Sequence, residues 1–126
     1  MSALRPPERL EPYCHLTTTG RRTGKPRRVE IWFAAEPSGD VIYMLAGGRE
    51  RAGWVRNLRA DSRVTVEIGG RRFDGVARVL EEGSEDGAAR RLVYEKYRHQ
   101  EDDLEEWRDA ALPVAIRLAP APTQAR

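Results

Sequence analysis

The chain has 126 residues, the size of one domain, which is enough to bury a hydrophobic core without metal or disulfide support. A single cysteine excludes an intrachain disulfide, and no apolar run has the length of a signal peptide or a membrane span, so we expect a soluble, cytoplasmic protein. The net charge is only +2, but residues 1–28 carry seven Lys/Arg against two Glu, whereas residues 81–106 carry ten Asp/Glu against four Lys/Arg. This segregation of charge predicts a local anion site and not a generally basic protein.

The N-terminal half of the sequence predicts three strands separated by turns. Residues 13–19 are rich in aromatic and β-branched types, residues 29–35 alternate apolar and polar side chains, and residues 41–46 are apolar. The turn-forming types at residues 36–40 predict that residues 28–46 form a β-hairpin.

The middle of the sequence predicts one helix and two further strands. Residues 50–60 place apolar side chains at helical spacing. Residues 63–68 and 73–80 read as strands, and Gly69-Gly70 between them predicts a tight hairpin turn. Gly75 inside the second strand predicts a bulge or a barrel corner.

The C-terminal third predicts a long amphipathic helix capped by Ser84, with Tyr97 on its apolar face. Leu104 and Trp107 predict a short second helix, residues 113–118 a closing strand, and residues 119–126 a disordered tail.

These elements predict one domain that is mainly β with flanking helices. About six short strands, mostly linked as hairpins, favour a small antiparallel barrel. A doubly wound parallel sheet is disfavoured because the helices do not alternate with the strands. The domain is expected to span residues 13–118 and to follow an N-terminal lead of residues 1–12.

The most distinctive segment is LTTTGRRTGKPRR, at residues 16–28. Five cationic side chains fall within eight residues of it: Arg21, Arg22, Lys25, Arg27 and Arg28. Such closely spaced like charges repel one another unless an anion is present, and the glycines leave backbone N–H groups free to approach a small anion. We therefore favour an anion-binding loop over the plain alternative, a solvated charged loop.

The sequence argues against two kinds of anionic ligand, a nucleotide bound by a P-loop and nucleic acid. Gly20 and Gly24 are one residue too close for a nucleotide-binding P-loop, and Pro26 stands where that motif needs a hydroxyl. Nucleic acid is disfavoured because the chain carries twenty carboxylates and has no interleaving of aromatic and basic residues. Arginine forks suit phosphate and carboxylate oxygens, so a small phosphate-bearing cofactor is the favoured ligand.

The segments TTTGRRTGKPR and WVRNLRA, with a glycine pair between them, together resemble the deazaflavin-dependent nitroreductase family. The likeness runs from about Tyr13 to Leu118. It implies a split antiparallel β-barrel of the kind shared with flavin reductases and pyridoxamine-phosphate oxidases. It also implies an oxidoreductase that uses the deazaflavin coenzyme F-420, a hydride carrier with a phosphodiester and a polyglutamate tail.

The resemblance also implies roles for individual residues. It puts Arg21, Arg22 and Arg27 at the phosphate and the tail. Other positions are expected beside or around the ring system: Ala46, Gly47, Gly48, Trp54 and Asn57. Thr23 belongs to the same predicted cofactor-binding set, and charge alone adds Lys25 and Arg28.

The implied reaction is hydride transfer from the reduced coenzyme to a small electrophilic acceptor, a quinone, a nitroaromatic or an enone. Tyr97 matches a tyrosine position proposed as a proton donor in the family, with Tyr94 and His99 as weaker candidates. The alternative for Tyr97 is core packing of its helix. No metal is expected, because Cys14 and His15 are neighbours on a strand and point to opposite faces.

Two alternative functions and the assembly state remain open at this stage. An FMN-dependent reductase on the same fold would leave several cations without an anionic partner. A non-catalytic split-barrel protein that binds flavin or haem would show binding without hydride turnover. Trp32 lies on the polar side of its strand, which favours a subunit contact, so a homodimer is one of two assembly states that the sequence leaves open.

Overall fold

The computed structural model describes residues 3–120. Within them, seven strands form one antiparallel sheet. The strands are β1 (Cys14–Thr19), β2 (Pro26–Ile31), β3 (Ala34–Ala35), β4 (Val41–Ala46), β5 (Arg63–Ile68), β6 (Arg71–Val79) and β7 (Leu112–Pro120). The helices are α1 (Pro6–Arg9), α2 (Gly53–Ala60), α3 (Ser84–Tyr97) and α4 (Glu105–Ala110), with a 3-10 turn at Arg49–Arg51.

The strand order is β2-β1-β5-β6-β7-β4-β3, and every neighbouring pair is antiparallel. The two edge strands, β2 and β3, are separated along the chain only by Trp32 and Phe33. The sheet is therefore curled into a half-barrel, which confirms the predicted mainly-β split barrel. No helix within residues 3–120 is both long and apolar enough to cross a membrane.

The predicted hairpin over residues 28–46 is wrong in its first half. Val29 pairs with Leu16 of β1, and only Ala34 and Ala35 pair with β4. The side chains keep the predicted alternation, since Val29, Ile31 and the fully buried Phe33 contact the same core cluster, but the backbone stops pairing with β1 after Ile31 and pairs with β4 from Ala34. The single predicted strand is thus divided between the two edges of the sheet.

The glycines of the second hairpin have two different roles. Gly69 and Gly70 have φ values of +57° and +86°, and they form the expected tight turn between β5 and β6. Gly75 is not a bulge, because the pairing runs through it without interruption, opposite Val64 and Leu118. A Cβ at Gly75 would lie 2.7 Å from the Ile116 side chain, so glycine there permits close packing across the sheet.

Helix α1 was not predicted, one predicted helix is divided, and the other elements differ from expectation at their ends. The helix predicted over residues 50–60 is divided at Ala52, whose backbone is extended. Gly83 and not Ser84 precedes α3, and β7 runs to Pro120. Most of the predicted disordered tail, residues 121–126, lies outside the described residues.

Apolar side chains pack on both sides of the curled sheet. The interior cluster fills the half-barrel and includes the fully buried Leu16, Val66 and Ile116. Cys14 lies in this cluster, and burial raises the pKa of its thiol to about 12. A second cluster, around Tyr43, joins the outer side of β3, β4 and β7 to α3 and α4.

Tyr97 fastens the Trp32–Phe33 connection to α3. Its hydroxyl accepts a hydrogen bond from the Phe33 amide at 3.0 Å and lies 2.8 Å and 3.0 Å from the carbonyl oxygens of Pro12 and Phe33. The half-buried Trp32 ring stacks on the Tyr97 ring with centroids 4.1 Å apart. Trp32, expected at a subunit contact, thus has an intramolecular partner.

Lys96 adds a charged contact to the same connection. Its ammonium donates to the Phe33 carbonyl at 2.8 Å and lies 3.7 Å from the centroid of the Phe33 ring. Burial lowers the pKa of Lys96 to about 8. The negative charge of Glu11 favours the protonated form of Lys96 but does not overcome desolvation.

We expect Tyr97→Phe to lower the free energy of unfolding by about 1–3 kcal/mol, because the buried amide of Phe33 would lose its acceptor, whereas the Phe33 carbonyl would keep Lys96. Tyr94→Phe is the matched control, since the Tyr94 hydroxyl bonds to Glu105 at an exposed site. It should change stability by about 0.5 kcal/mol or less. Urea unfolding measures both, and equal losses would contradict the role given to Tyr97.

The lowered pKa of Lys96 predicts a pH dependence of stability. Between pH 8 and the ordinary lysine value of 10.5, the unfolded chain binds more protons at this residue, so Lys96 makes stability rise with pH. The raised pKa values of Cys14 and Tyr97 oppose this rise above about pH 9 and about pH 10, respectively. Both groups are present in the variant as well, so chemical unfolding from pH 7 to 10 should show a less positive slope of stability against pH in Lys96→Met than in the unmodified chain. Identical slopes of stability against pH in the two chains would contradict the lowered pKa of Lys96.

Candidate functional site

The loop between β1 and β2 carries the predicted basic cluster and is closed by its own backbone. The Gly20 amide donates to the Lys25 carbonyl and the Gly24 amide to the Gly20 carbonyl, both at 2.8 Å. Gly24 has a φ of +74°, and a Cβ on Gly20 would lie 2.9 Å from the Lys25 oxygen. The glycines therefore make a tight turn, and the amides of Gly20 and Gly24 are not the free anion donors that the sequence suggested.

This loop and the first turns of α2 enclose a cleft of about 490 Å³. Seven of the predicted cofactor-binding residues line it: Arg21, Arg22, Thr23, Arg27, Arg28, Trp54 and Asn57. Gly20, Pro26, Val29 and Gly53 complete the described lining. The structure thus brings together residues that are up to 36 positions apart in the sequence.

The cleft is strongly positive. Four arginines and no carboxylates appear in its described lining. Arg28 is partly neutralised, because its guanidinium lies 2.7 Å from the Glu67 carboxylate on β5. Among the described residues, no carboxylate lies within ion-pair distance of Arg21, Arg22 or Arg27. Three guanidinium charges are therefore available to an anion.

Asn57 holds the loop against the body of the protein. Its side-chain oxygen accepts hydrogen bonds from the backbone amide of Arg21 at 3.2 Å and from the Arg21 guanidinium at 2.9 Å. Its side-chain nitrogen donates to the hydroxyl of Thr18 at 3.1 Å. The sequence pointed to Asn57 as a cleft residue, but not to its contact with Arg21.

Four predicted cofactor-binding residues lie outside the lining of this cleft. Lys25 is exposed in the loop, and Ala46 is buried at the end of β4. Gly47 and Gly48 are exposed in the following turn, where a Cβ on Gly47 would lie 3.6 Å from the Trp107 indole. Their predicted contact with a cofactor stays a prediction.

The tyrosine and histidine candidates for proton donation are also elsewhere. Tyr97 is fully buried, and its hydroxyl is taken by backbone groups. Tyr94 donates to Glu105, and His99 is exposed just beyond α3. None of the three appears in the described cavity linings, so this geometry favours the core-packing interpretation of Tyr97.

A larger cavity, which sequence reasoning did not identify, lies along β1, β5, β6 and β7. Its volume is about 770 Å³, and its lining includes Thr17, Thr65, Val76 and Arg117. Pro26 lines both cavities, so the two adjoin at the start of β2. The sequence indicates this cavity only through the alternation of polar and apolar residues in β5 and β6, which is typical of strands with one face toward solvent.

The fold and the cleft define a split-barrel protein with a positively charged cleft whose residues suit an anionic ligand. Residues 8–119 match the family model described as F420H(2)-dependent quinone reductase. The chain belongs to this family, which confirms the predicted resemblance. The family is named for reductases that use reduced coenzyme F-420, which are the enzyme class and the cofactor that the sequence predicts.

Individual relatives agree with this assignment. An F420H(2)-dependent quinone reductase of Mycobacterium tuberculosis is 33% identical over 67 residues, which cover 52% of this chain and 45% of the relative. The matched part is thus about half the length of that relative. A solved F420-H2 dependent reductase has a TM-score of 0.67 and 30% identity, covering 86% of this chain and 94% of that chain. A second solved structure, described only as a domain-swapped dimer, also has a TM-score of 0.67 and 30% identity and covers 86% of this chain and 80% of that chain.

The residues of the cleft fit the family's cofactor. A phosphodiester with a polyglutamate tail carries several negative charges, and three arginines of the cleft have no carboxylate partner among the described residues. Bidentate hydrogen bonding by guanidinium suits both phosphate and carboxylate oxygens. The half-buried indole of Trp54 adds an aromatic surface at the same cleft.

Proposed function

We propose that this chain is a reductase that transfers a hydride from reduced coenzyme F-420 to a small electrophilic acceptor. A quinone is the first acceptor to test, because the matched relatives are named as quinone reductases. Nitroaromatics and enones are chemically related acceptors and belong to the same proposal. The observation that carries it is the cleft beside α2, in which three arginines lack carboxylate partners among the described residues.

Each part of the cleft has a proposed role. Arg21, Arg22 and Arg27 bind the phosphodiester and the first carboxylates of the tail. Arg28 contributes less, because Glu67 already shares its charge. Trp54 offers its ring to the cofactor, while Ala46, Gly47 and Gly48 remain proposed contacts of the deazaflavin ring.

The coenzyme supplies the hydride when it is bound. The chain's own residues bind and orient it, which explains why the cleft contains cations and an aromatic ring but no nucleophile–base pair in its described lining. Reduction of a quinone also consumes a proton. We propose that solvent supplies it, because the Tyr97 hydroxyl is engaged by Phe33 and Pro12.

Location and assembly extend the proposal. We propose a cytoplasmic location, which accords with a single cysteine that is buried. A homodimer is supported only by the neighbour described as a domain-swapped dimer. Size-exclusion chromatography with light scattering tests the assembly state.

Arg21→Ala and Arg27→Ala should each weaken F-420 binding about ten- to a hundredfold at low salt, because each removes a charge-assisted contact to phosphate or carboxylate. Cofactor fluorescence at 20 and 500 mM salt measures the affinity, and the loss should shrink at high salt through screening. Arg91→Ala, at an exposed position of α3, is the matched control and should bind normally.

Unchanged binding by both cleft variants would place the cofactor elsewhere. Turnover is then followed with reduced F-420 and a quinone, a nitroaromatic and an enone. Preference for FMN would favour the FMN-dependent alternative, and binding without turnover would favour a non-catalytic protein. Affinity for nucleic acid that falls steeply with salt would revive the disfavoured nucleic-acid interpretation.

A further inference from the structure

Two buried polar side chains lie under the basic loop and are bonded to each other. Thr18 is 2% exposed and Asn57 is 5% exposed, and they are the buried polar or charged residues found in the described part of the chain. The Asn57 amide nitrogen donates to the Thr18 hydroxyl at 3.1 Å. Thr18 occupies an inward position of β1, as the apolar Cys14 and Leu16 do. At this position the strand has a polar residue in place of an apolar one, and its hydroxyl accepts a hydrogen bond from Asn57.

The other end of the Asn57 amide faces Arg21. Its oxygen accepts from the Arg21 backbone amide and from the Arg21 guanidinium, at 3.2 Å and 2.9 Å. The backbone amide and the guanidinium of Arg21 can only donate hydrogen bonds, so the oxygen of the Asn57 amide, and not its nitrogen, must face the loop. Strand β1, helix α2 and the basic loop are thereby joined through one side chain.

The acceptor of the Arg21 hydrogen bond is the neutral amide of Asn57, so it does not reduce the positive charge of the guanidinium. A carboxylate in the same position would orient Arg21 but would also neutralise it, as Glu67 does in part for Arg28. The amide orients the guanidinium and leaves its full charge to a ligand. Orienting the side chain beforehand also removes the entropy loss of ordering it when the ligand binds.

We propose that Asn57 is a positioning residue, which holds Arg21 in the cleft for the phosphate of the cofactor and does not contact the cofactor itself. This differs from the expectation that Asn57 flanks the ring system, because both ends of its amide already have partners within the protein. The identity of the anion rests on the proposed function, but the positioning of Arg21 can be measured without a cofactor.

The first experiment uses the ligand-free protein. Side-chain NMR of the arginine guanidinium groups should show slower exchange and restricted motion for Arg21 than for Arg22. Asn57→Ala should make Arg21 as mobile as Arg22, and Thr18→Val should do so in part. An Arg21 side chain that is already mobile in the unmodified chain would overturn the proposal.

The second experiment is a double-mutant cycle on F-420 affinity, with cofactor fluorescence as the readout. If Asn57 acts through Arg21, Arg21→Ala should weaken binding by less than about threefold in the Asn57→Ala background, compared with ten- to a hundredfold otherwise. Arg27→Ala is the matched control and should keep its full effect in both backgrounds. Additive effects of Asn57→Ala and Arg21→Ala would overturn the proposal, because they would indicate independent contacts.

Two conservative variants separate positioning from folding. Asn57→Asp keeps the acceptor, so Arg21 should stay ordered in the NMR experiment, yet affinity should fall because the added charge neutralises the guanidinium. Thr18→Ser keeps the hydroxyl and should restore the affinity that Thr18→Val loses. Full affinity in Asn57→Asp would overturn the proposal. If the unmodified chain binds no F-420, the proposed function fails, whereas the ligand-free NMR comparison still decides whether Asn57 positions Arg21.

Discussion

Mutual repulsion among the arginines of the β1–β2 loop is the constraint on which the rest of the account depends. Arg21, Arg22 and Arg27 share one cleft with no carboxylate partner among the described residues. The loop keeps its conformation despite this repulsion because backbone hydrogen bonds close it and the Asn57 side chain joins it to α2. A bound anion relieves the repulsion, so the same charges that strain the free protein provide affinity.

The half-barrel that supports this loop is held at a separate point. Trp32 and Phe33 join the two edge strands, and Tyr97 and Lys96 of α3 bind the backbone of Phe33. A tyrosine that resembles a catalytic group in the sequence is thus part of the scaffold. The contacts of Phe33 and the arginines of the cleft are different residues, so mutations can test stability at one and cofactor binding at the other.

Much of the fold and of the cleft could be predicted from the sequence, because period-two alternation and turn residues are local signals. The bounds of β4 and β5 were predicted to the residue. The division of residues 29–35 was not, because it depends on Phe33 being bonded by Tyr97, 64 positions away. Charge identified the basic loop, and the family resemblance implied that Trp54 and Asn57 lie near the cofactor. The Asn57–Arg21 contact and the Glu67 partner of Arg28 are long-range pairings that no local pattern encodes.

The most direct test of the central claim is a crystal structure of the chain with F-420 bound. The account predicts that the phosphodiester lies within hydrogen-bond distance of the Arg21, Arg22 and Arg27 guanidinium groups, with Asn57 still bonded to Arg21 and Thr18. A cofactor seated only in the cavity beside Thr65 and Val76, with those three guanidinium groups left in solvent, would contradict it.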